Sequence, residues 1–236
     1  MEKLCKAFEQ LNIKVSGETI EKFQKHMELV LAWNEKVNLT AITDKNGFIE
    51  KHFIDSVLCA GFCEFQNADM IIDVGTGAGF PGIPLAMVFP EKNFLLIDSL
   101  AKKIKILAEI AETLELSNVK LLHTRAEDLA RKAEYREKYD ICVSRAVANM
   151  AVLSEYCLPF IKVGGSLIAY RGPDAEKELA EAKGALEILG GGFAETRKVD
   201  IDGFDLDHNM IVIEKKNGTP AKFPRKAGTP LKNPLK

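Results

Sequence analysis

No run in this 236-residue chain approaches the ~20 consecutive apolar residues that a bilayer-spanning helix requires, and none is expected. No apolar stretch of the kind a secretion signal carries follows Met1–Cys5, so a cytoplasmic location is expected. Cysteine is sparse and odd in number: five, at 5, 59, 63, 142 and 157. Cys59 and Cys63 lie one helical turn apart, but no second pair of ligands completes a zinc site, and no metal is expected. Scattered thiols of this kind read as reduced and buried. There are four histidines, one tryptophan and no internal repeat.

What is present centres on Met70–Gly82, M-I-I-D-V-G-T-G-A-G-F-P-G. A short β-branched run ends in a glycine turn and opens a helix, as a central parallel strand does. Asp73 falls near the carboxyl end of that strand, where open α/β sheets bind ligands. Two ligands match the turn. A dinucleotide pattern is met by Gly77, Gly79 and Gly82; an S-adenosylmethionine (AdoMet) pattern is met by Asp73, Gly75, Gly77 and Gly79. A glycine turn without a ligand is the third reading, and the turn alone does not choose.

The composition, 47% hydrophobic and 28% charged, suits one large domain or one domain with an appendage. Residues 1–67 are expected to form a helical extension packed on a core. Ile20, Phe23, Met27, Val30 and Leu31 share one helical face after the cap residue Ser16, and a second helix is expected from about Gly47 to Cys63. Residues 68–216 alternate strands and helices, the signature of a doubly wound, Rossmann-like sheet. The expected strands lie at 69–74, 93–98, 119–122 and 139–143, with a glycine turn and a fifth strand within 164–172, followed by an antiparallel closing pair at 193–198 and 210–215. Residues 217–236 are a basic Pro/Gly-rich tail. Residues 215–236 hold seven Lys/Arg and no Asp/Glu; taking these from a net charge of −2 leaves −9 on residues 1–214. Such a tail either meets a polyanion or is a solvated terminus.

The polar residues fall at strand ends. Asp98 ends the second strand, about twenty residues after the turn, where an acid suits a ribose diol or caps the next helix. Glu127 and Asp128 follow the third strand, within range of an adenine amino group. An oxidoreductase would need a substrate region and a His or Lys acid/base, and only His123 lies near the strand ends. A methyltransferase needs less, because alignment of the nucleophile can supply most of the rate. The fourth strand ends in Ser144-Arg145, not in the N/D-P-P-aromatic loop that holds an exocyclic amine. Cys142 lies inside a strand, poorly placed as a covalent nucleophile. A ring nitrogen with a free lone pair, such as guanine N7, fits a site with no obvious base. Arg145, Arg171 and Arg125 are cations around the same mouth, suited to a carboxylate or to RNA phosphates. His52 and Asp55, three apart on a helix, face alike, either toward substrate or in a structural hydrogen bond.

Taken together, W-N-x-x-V-N-L-T at 33–40, K-H-F-I-D-S at 51–56, D-V-G-T-G-A-G-F-P-G at 73–82, D-S-L-A-K-K at 98–103, R-A-E-D at 125–128, S-R-A-V-A at 144–148, Y-R-G at 170–172 and P-R-K-A-G-T-P at 224–230 resemble the bacterial ribosomal RNA small subunit methyltransferase G family, also called glucose-inhibited division protein B. The resemblance covers almost the whole chain. It implies AdoMet-dependent methylation, releasing S-adenosylhomocysteine, at N7 of one guanine of 16S rRNA, numbered 527 in the decoding-site loop. It implies cofactor contacts at Gly75, Phe80, Ala126, Glu127 and Arg145, with Asp98 at the ribose. Asp73, Gly77 and Gly79 complete the expected cofactor set. No catalytic residue is assigned; His52, Asp55, Arg145 and Arg171 are the candidates for positioning RNA. The expected partner is 16S rRNA, in the small subunit or an assembly intermediate, with the enzyme acting as a monomer and no membrane involved. A small-molecule methyltransferase and an NAD-binding oxidoreductase are the alternatives.

Overall fold

The computed structural model describes residues 1–236 except Ala146, Asp205, Asp207 and His208. Seven strands form one sheet: β1 Met70–Val74, β2 Asn93–Asp98, β3 Val119–His123, β4 Tyr139–Arg145, β5 Ile161–Arg171, β6 Gly191–Lys198 and β7 Asn209–Lys215. Their spatial order is β3-β2-β1-β4-β5-β7-β6. The first five are parallel, and β7 runs antiparallel between β5 and β6. The expected antiparallel pair is therefore present, with the last strand inserted inside the edge. The reversal between β1 and β4 creates a switch point at the carboxyl edge, where ligands of such sheets bind.

The N-terminal helices are α1 Glu2–Gln10 and α2 Gly17–Asn34. Ser16 caps α2 through its side chain, accepting from Thr19 N–H at 3.1 Å. The expected helix from 47 to 63 is a composite: α3 Lys45–Phe48, a π-helix Ile49–Ile54, α4 Asp55–Val57 and a 3-10 turn Leu58–Gly61, followed by α5 Cys63–Gln66. The π turn has partners that no local pattern reveals. Arg145, 94 residues away, donates to the Lys51 carbonyl at 3.0 Å, and the Ser56 hydroxyl donates to the His52 carbonyl. The helices of the sheet region are α6 Gly82–Val88, α7 Ala101–Thr113, α8 Ala126–Leu129, α9 Met150–Cys157 and α10 Ala175–Leu189, and a short α11 Thr229–Lys232 closes the fold.

Phe8, Phe23, Phe48, Phe53 and Phe80 share one buried apolar cluster with Ile71, Leu96 and Ile141 of the strands. The N-terminal helices thus continue the core on one face of the sheet. A second cluster, including Leu153, Cys157, Leu186 and Phe223, covers the other. No helix among the described residues is long and apolar enough to cross a membrane.

Candidate functional site

The glycine loop turns directly off β1. Gly75 has φ +73°, and a Cβ there would lie 2.5 Å from a Val147 methyl, so only glycine fits both the backbone and the space. Gly75 and Thr76 donate their N–H groups to the Ile97 carbonyl at 2.9 and 3.0 Å, folding the loop over the end of β2. Asp73 is buried and works inside this loop. Its Oδ2 accepts from Thr76 Oγ1 at 2.7 Å and from Gly82 N–H at 3.0 Å. Gly82 permits that approach, since a Cβ there would sit 2.7 Å from the same oxygen. Burial pushes the Asp73 carboxyl up to about 7. Asp73 therefore braces the turn, and it does not line the cleft described next.

A cleft of about 240 Å³ opens at the carboxyl ends of β1, β2 and β3. Gly75, Asp98, Ala126 and Glu127 line it, together with Arg125 and Tyr156. Asp98 Oδ2 accepts from Gly77 N–H at 3.0 Å, and Oδ1 accepts from Leu100 N–H at 2.8 Å. The helix cap weighed from sequence does not form: α7 starts after Leu100 with no side-chain cap bond, and Asp98 instead closes the turn before the helix with a carboxylate that also faces the cleft.

Arg145, Phe80, His52 and Asp55 form a second cluster, reached from the cleft along the loop of residues 75–80. Arg145 ends β4 and pairs with the fully buried Asp55 at 2.8 Å. Its guanidinium lies 5.1 Å from the centroid of the Phe80 ring. His52 stacks on Phe80 with centroids 4.4 Å apart and ring planes 10° from parallel. Arg145 also reaches His52 Nδ1 at 3.2 Å. A guanidinium only donates, so Nδ1 accepts, and the hydrogen must sit on Nε2, which donates to Thr40 Oγ1 at 2.6 Å. Burial, then the neighbouring Arg145 charge, holds His52 down to about 4, so it is neutral at pH 7. Asn34 fixes the loop that carries Thr40, accepting from Leu39 and Thr40 N–H at 2.8 and 2.9 Å. Behind Phe80, His26 is fully buried with no partner for either ring nitrogen.

Arg171 does not join this mouth. Its side chain is 7% exposed and turns to α9 and α10, where Nε meets the Met150 sulfur at 3.2 Å and Glu178 at 3.6 Å. The strand-end position expected for it is correct, but its charge is aimed elsewhere. Gly77 and Gly79 shape the loop without lining the cleft. Ala146, within the Ser144–Ala148 motif, lies outside the described residues. No group of three His, Cys, Asp or Glu among the described residues is placed to hold a metal ion.

Thr124, Tyr156 and Leu231 were not singled out from the sequence, and Val147 entered only as part of the motif at 144–148. Val147, Thr124 and Tyr156 line the cleft, and so does Leu231 from α11. The tail carrying Leu231 is ordered on the body: Arg225 forks onto the buried Glu155 at 2.9 and 2.6 Å.

Comparison with known proteins bears on the same constellation. Residues 19–200 match the family described as rRNA small subunit methyltransferase G (GidB). The protein of that name from Clostridium tetani is 51% identical over 214 residues, 91% of this chain and 90% of the relative. The one from Clostridium kluyveri is 49% identical over 236 residues, 100% of this chain and 98% of the relative. Among solved structures, an O-methyltransferase from Bacillus cereus in complex with S-adenosylhomocysteine shares the fold. Its TM-score is 0.56 at 18% identity, covering 81% of this chain and 91% of that one. A SAM-dependent O-methyltransferase from Thermotoga maritima gives 0.56 at 16% identity, covering 81% and 72%. The sheet is thus that of an AdoMet-dependent methyltransferase, and the chain belongs to the rRNA small subunit methyltransferase G family.

Proposed function

We propose that this enzyme methylates N7 of one guanine of 16S rRNA with AdoMet as donor, releasing S-adenosylhomocysteine. The observation that carries the reading is the lining of a single switch-point cleft by Gly75, Asp98, Ala126 and Glu127, beside a cationic mouth at Arg145. The residues fit the cofactor: a carboxylate at the end of β2 for a ribose diol, and a side-chain-free approach at Gly75. AdoMet supplies a methyl group already activated by its sulfonium.

The chain's own work is positioning. Guanine N7 presents a lone pair, so no proton has to leave before attack. The cluster matches that demand, because both nitrogens of His52 are engaged and neither is available as a base. His52 and Asp55 hold the Arg145 guanidinium against Phe80, where it suits the methionine carboxylate or an RNA phosphate. In this reading residues 68–216 hold the cofactor. Residues 1–67 supply His52 and Asp55, and residues 217–236 supply exposed lysines toward rRNA, in the small subunit or its assembly intermediate. The reaction then takes place in the cytoplasm.

Borohydride/aniline treatment reads the product directly. The 16S rRNA of cells lacking the gene should lose one cleavage site present in the parent; an unchanged pattern refutes the proposal. AdoMet, and not NAD, should raise the melting temperature. At ~100 times its Kd the ligand adds about 2.7 kcal/mol.

A further inference from the structure

The C-terminal tail reaches the cleft as well as carrying exposed lysines. Leu231 lines the cleft with Asp98, Ala126 and Glu127, yet it is 64% exposed. Val147, on the same cleft, is also half-exposed. Two exposed apolar side chains on a cleft that also holds Val74, Ile97 and Ala126 lose contact with water when a flat, apolar-faced ligand enters against them.

The segment that carries Leu231 is fastened from several sides. Arg136 donates to the carbonyls of Thr219 at 2.6 Å and Phe223 at 2.9 Å, and Arg131 donates to that of Pro224 at 2.6 Å. Arg225 grips Glu155, which is fully buried and also accepts from the Arg225 N–H at 2.7 Å. The last fastening is at the cleft itself. Gly228, in a left-handed turn at φ 82°, donates its N–H to Glu127 Oε1 at 2.9 Å. Glu127 opens α8 on the cleft wall, so this bond sets how far Leu231, three residues on, stands from the floor.

We propose that Gly228–Leu231 is the outer wall of the adenosine end of the cofactor site, with Glu127 as the latch that holds it. The assignment to the adenosine end follows from the lining: Asp98 and Ala126–Glu127 share this cleft with Leu231, whereas Arg145 and Phe80 do not. The inference rests on the reading of the cleft as the AdoMet site. It makes the tail a cofactor-binding element in addition to a basic surface.

The test is calorimetric titration of the full-length protein with AdoMet, S-adenosylhomocysteine and methylthioadenosine, which keeps the adenosine and lacks the amino acid. Leu231 is exposed, so Leu231→Ala and Leu231→Asp should leave circular dichroism and the ligand-free melting temperature unchanged. Both should weaken all three ligands, by about tenfold for the alanine and further for the aspartate. The charge control Lys232→Ala/Lys236→Ala should bind all three as the wild type does. Affinities of the Leu231 variants within twofold of wild type overturn the wall, as does weakened AdoMet with unchanged methylthioadenosine. Asp98→Ala separates the two readings. If it weakens AdoMet and the Leu231 variants do not, the wall alone is wrong; if neither matters, the cleft is not the cofactor site and both fail.

Discussion

Arg145 shows how much one side chain of this enzyme is asked to do. It neutralises a fully buried carboxylate at Asp55, satisfies a π-helix carbonyl at Lys51 and fixes the tautomer of His52. Arg145→Ala would remove the guanidinium paired with the buried Asp55 and should cost about 3–5 kcal/mol of stability. Removing both charges, Arg145→Ala with Asp55→Ala, should cost less than the two single losses summed, and urea denaturation of the four proteins measures the coupling. Additive losses would mean the pair is not coupled. His26 carries a different liability. It is fully buried with unpartnered nitrogens, and burial holds it down to about 3, against about 6.5 in the unfolded chain. The unfolded state therefore binds a proton between these values that the native state refuses, so stability present above pH 6.5 falls as pH drops toward 3. His26→Phe keeps the ring between Phe53 and Phe80 and removes the titration. It should lose less stability than wild type between pH 7.5 and pH 5, by about 2 kcal/mol. An equal loss in both proteins would show that His26 is not the source.

At the scale of elements, the π-helix and the tail are the two that local pattern did not disclose. An apolar periodicity from 47 to 63 reads as one α-helix. The π turn is bonded at its Lys51 carbonyl by Arg145, 94 residues distant, and no window of adjacent residues contains that partner. The tail is similar. Its Pro, Gly and Lys left open a polyanion contact or a solvated terminus, and neither reading foresaw that Phe223 is buried and Arg225 is committed to Glu155. Arg225→Ala should release the segment, with faster tryptic cleavage after Lys222 and Lys226 and a lower melting temperature. Cleavage at the wild-type rate would show that Phe223 and the Arg136 bonds suffice. The strands, by contrast, were legible. β1, β2 and β4 are short, mainly apolar runs with Asp73, Asp98 and Ser144-Arg145 at or next to their last positions, because both faces of a central parallel strand are covered and polar groups collect at its carboxyl end.

Across the whole molecule, charge is sorted by use. Of the seven basic residues from 215 to 236, Lys215 is buried against the Leu158 carbonyl and Thr219, and Arg225 pairs with Glu155. Lys216, Lys222, Lys226, Lys232 and Lys236 are exposed. If these meet rRNA phosphates, Lys222→Ala/Lys226→Ala should flatten the log K against log salt slope for a 16S rRNA fragment by roughly 0.7–0.9 per residue. An unchanged slope would place the RNA elsewhere on the surface. The same variant should keep AdoMet affinity.

Strand length, turn chemistry and an acid at a strand end are short-range signals, and they sufficed for the sheet, the glycine loop and the placing of Gly75, Asp98 and Glu127 at the strand ends that line one cleft; Ala126 was reached only through the family resemblance. The bracing of the loop by Asp73, the donor and acceptor roles of His52 toward Thr40 and Arg145, the turn of Arg171 to α9 and α10, and the reach of the tail to the cleft became visible with the folded chain. Those roles depend on which partner stands within hydrogen-bond reach. Such partners come from distant parts of the chain, and their proximity is a product of folding.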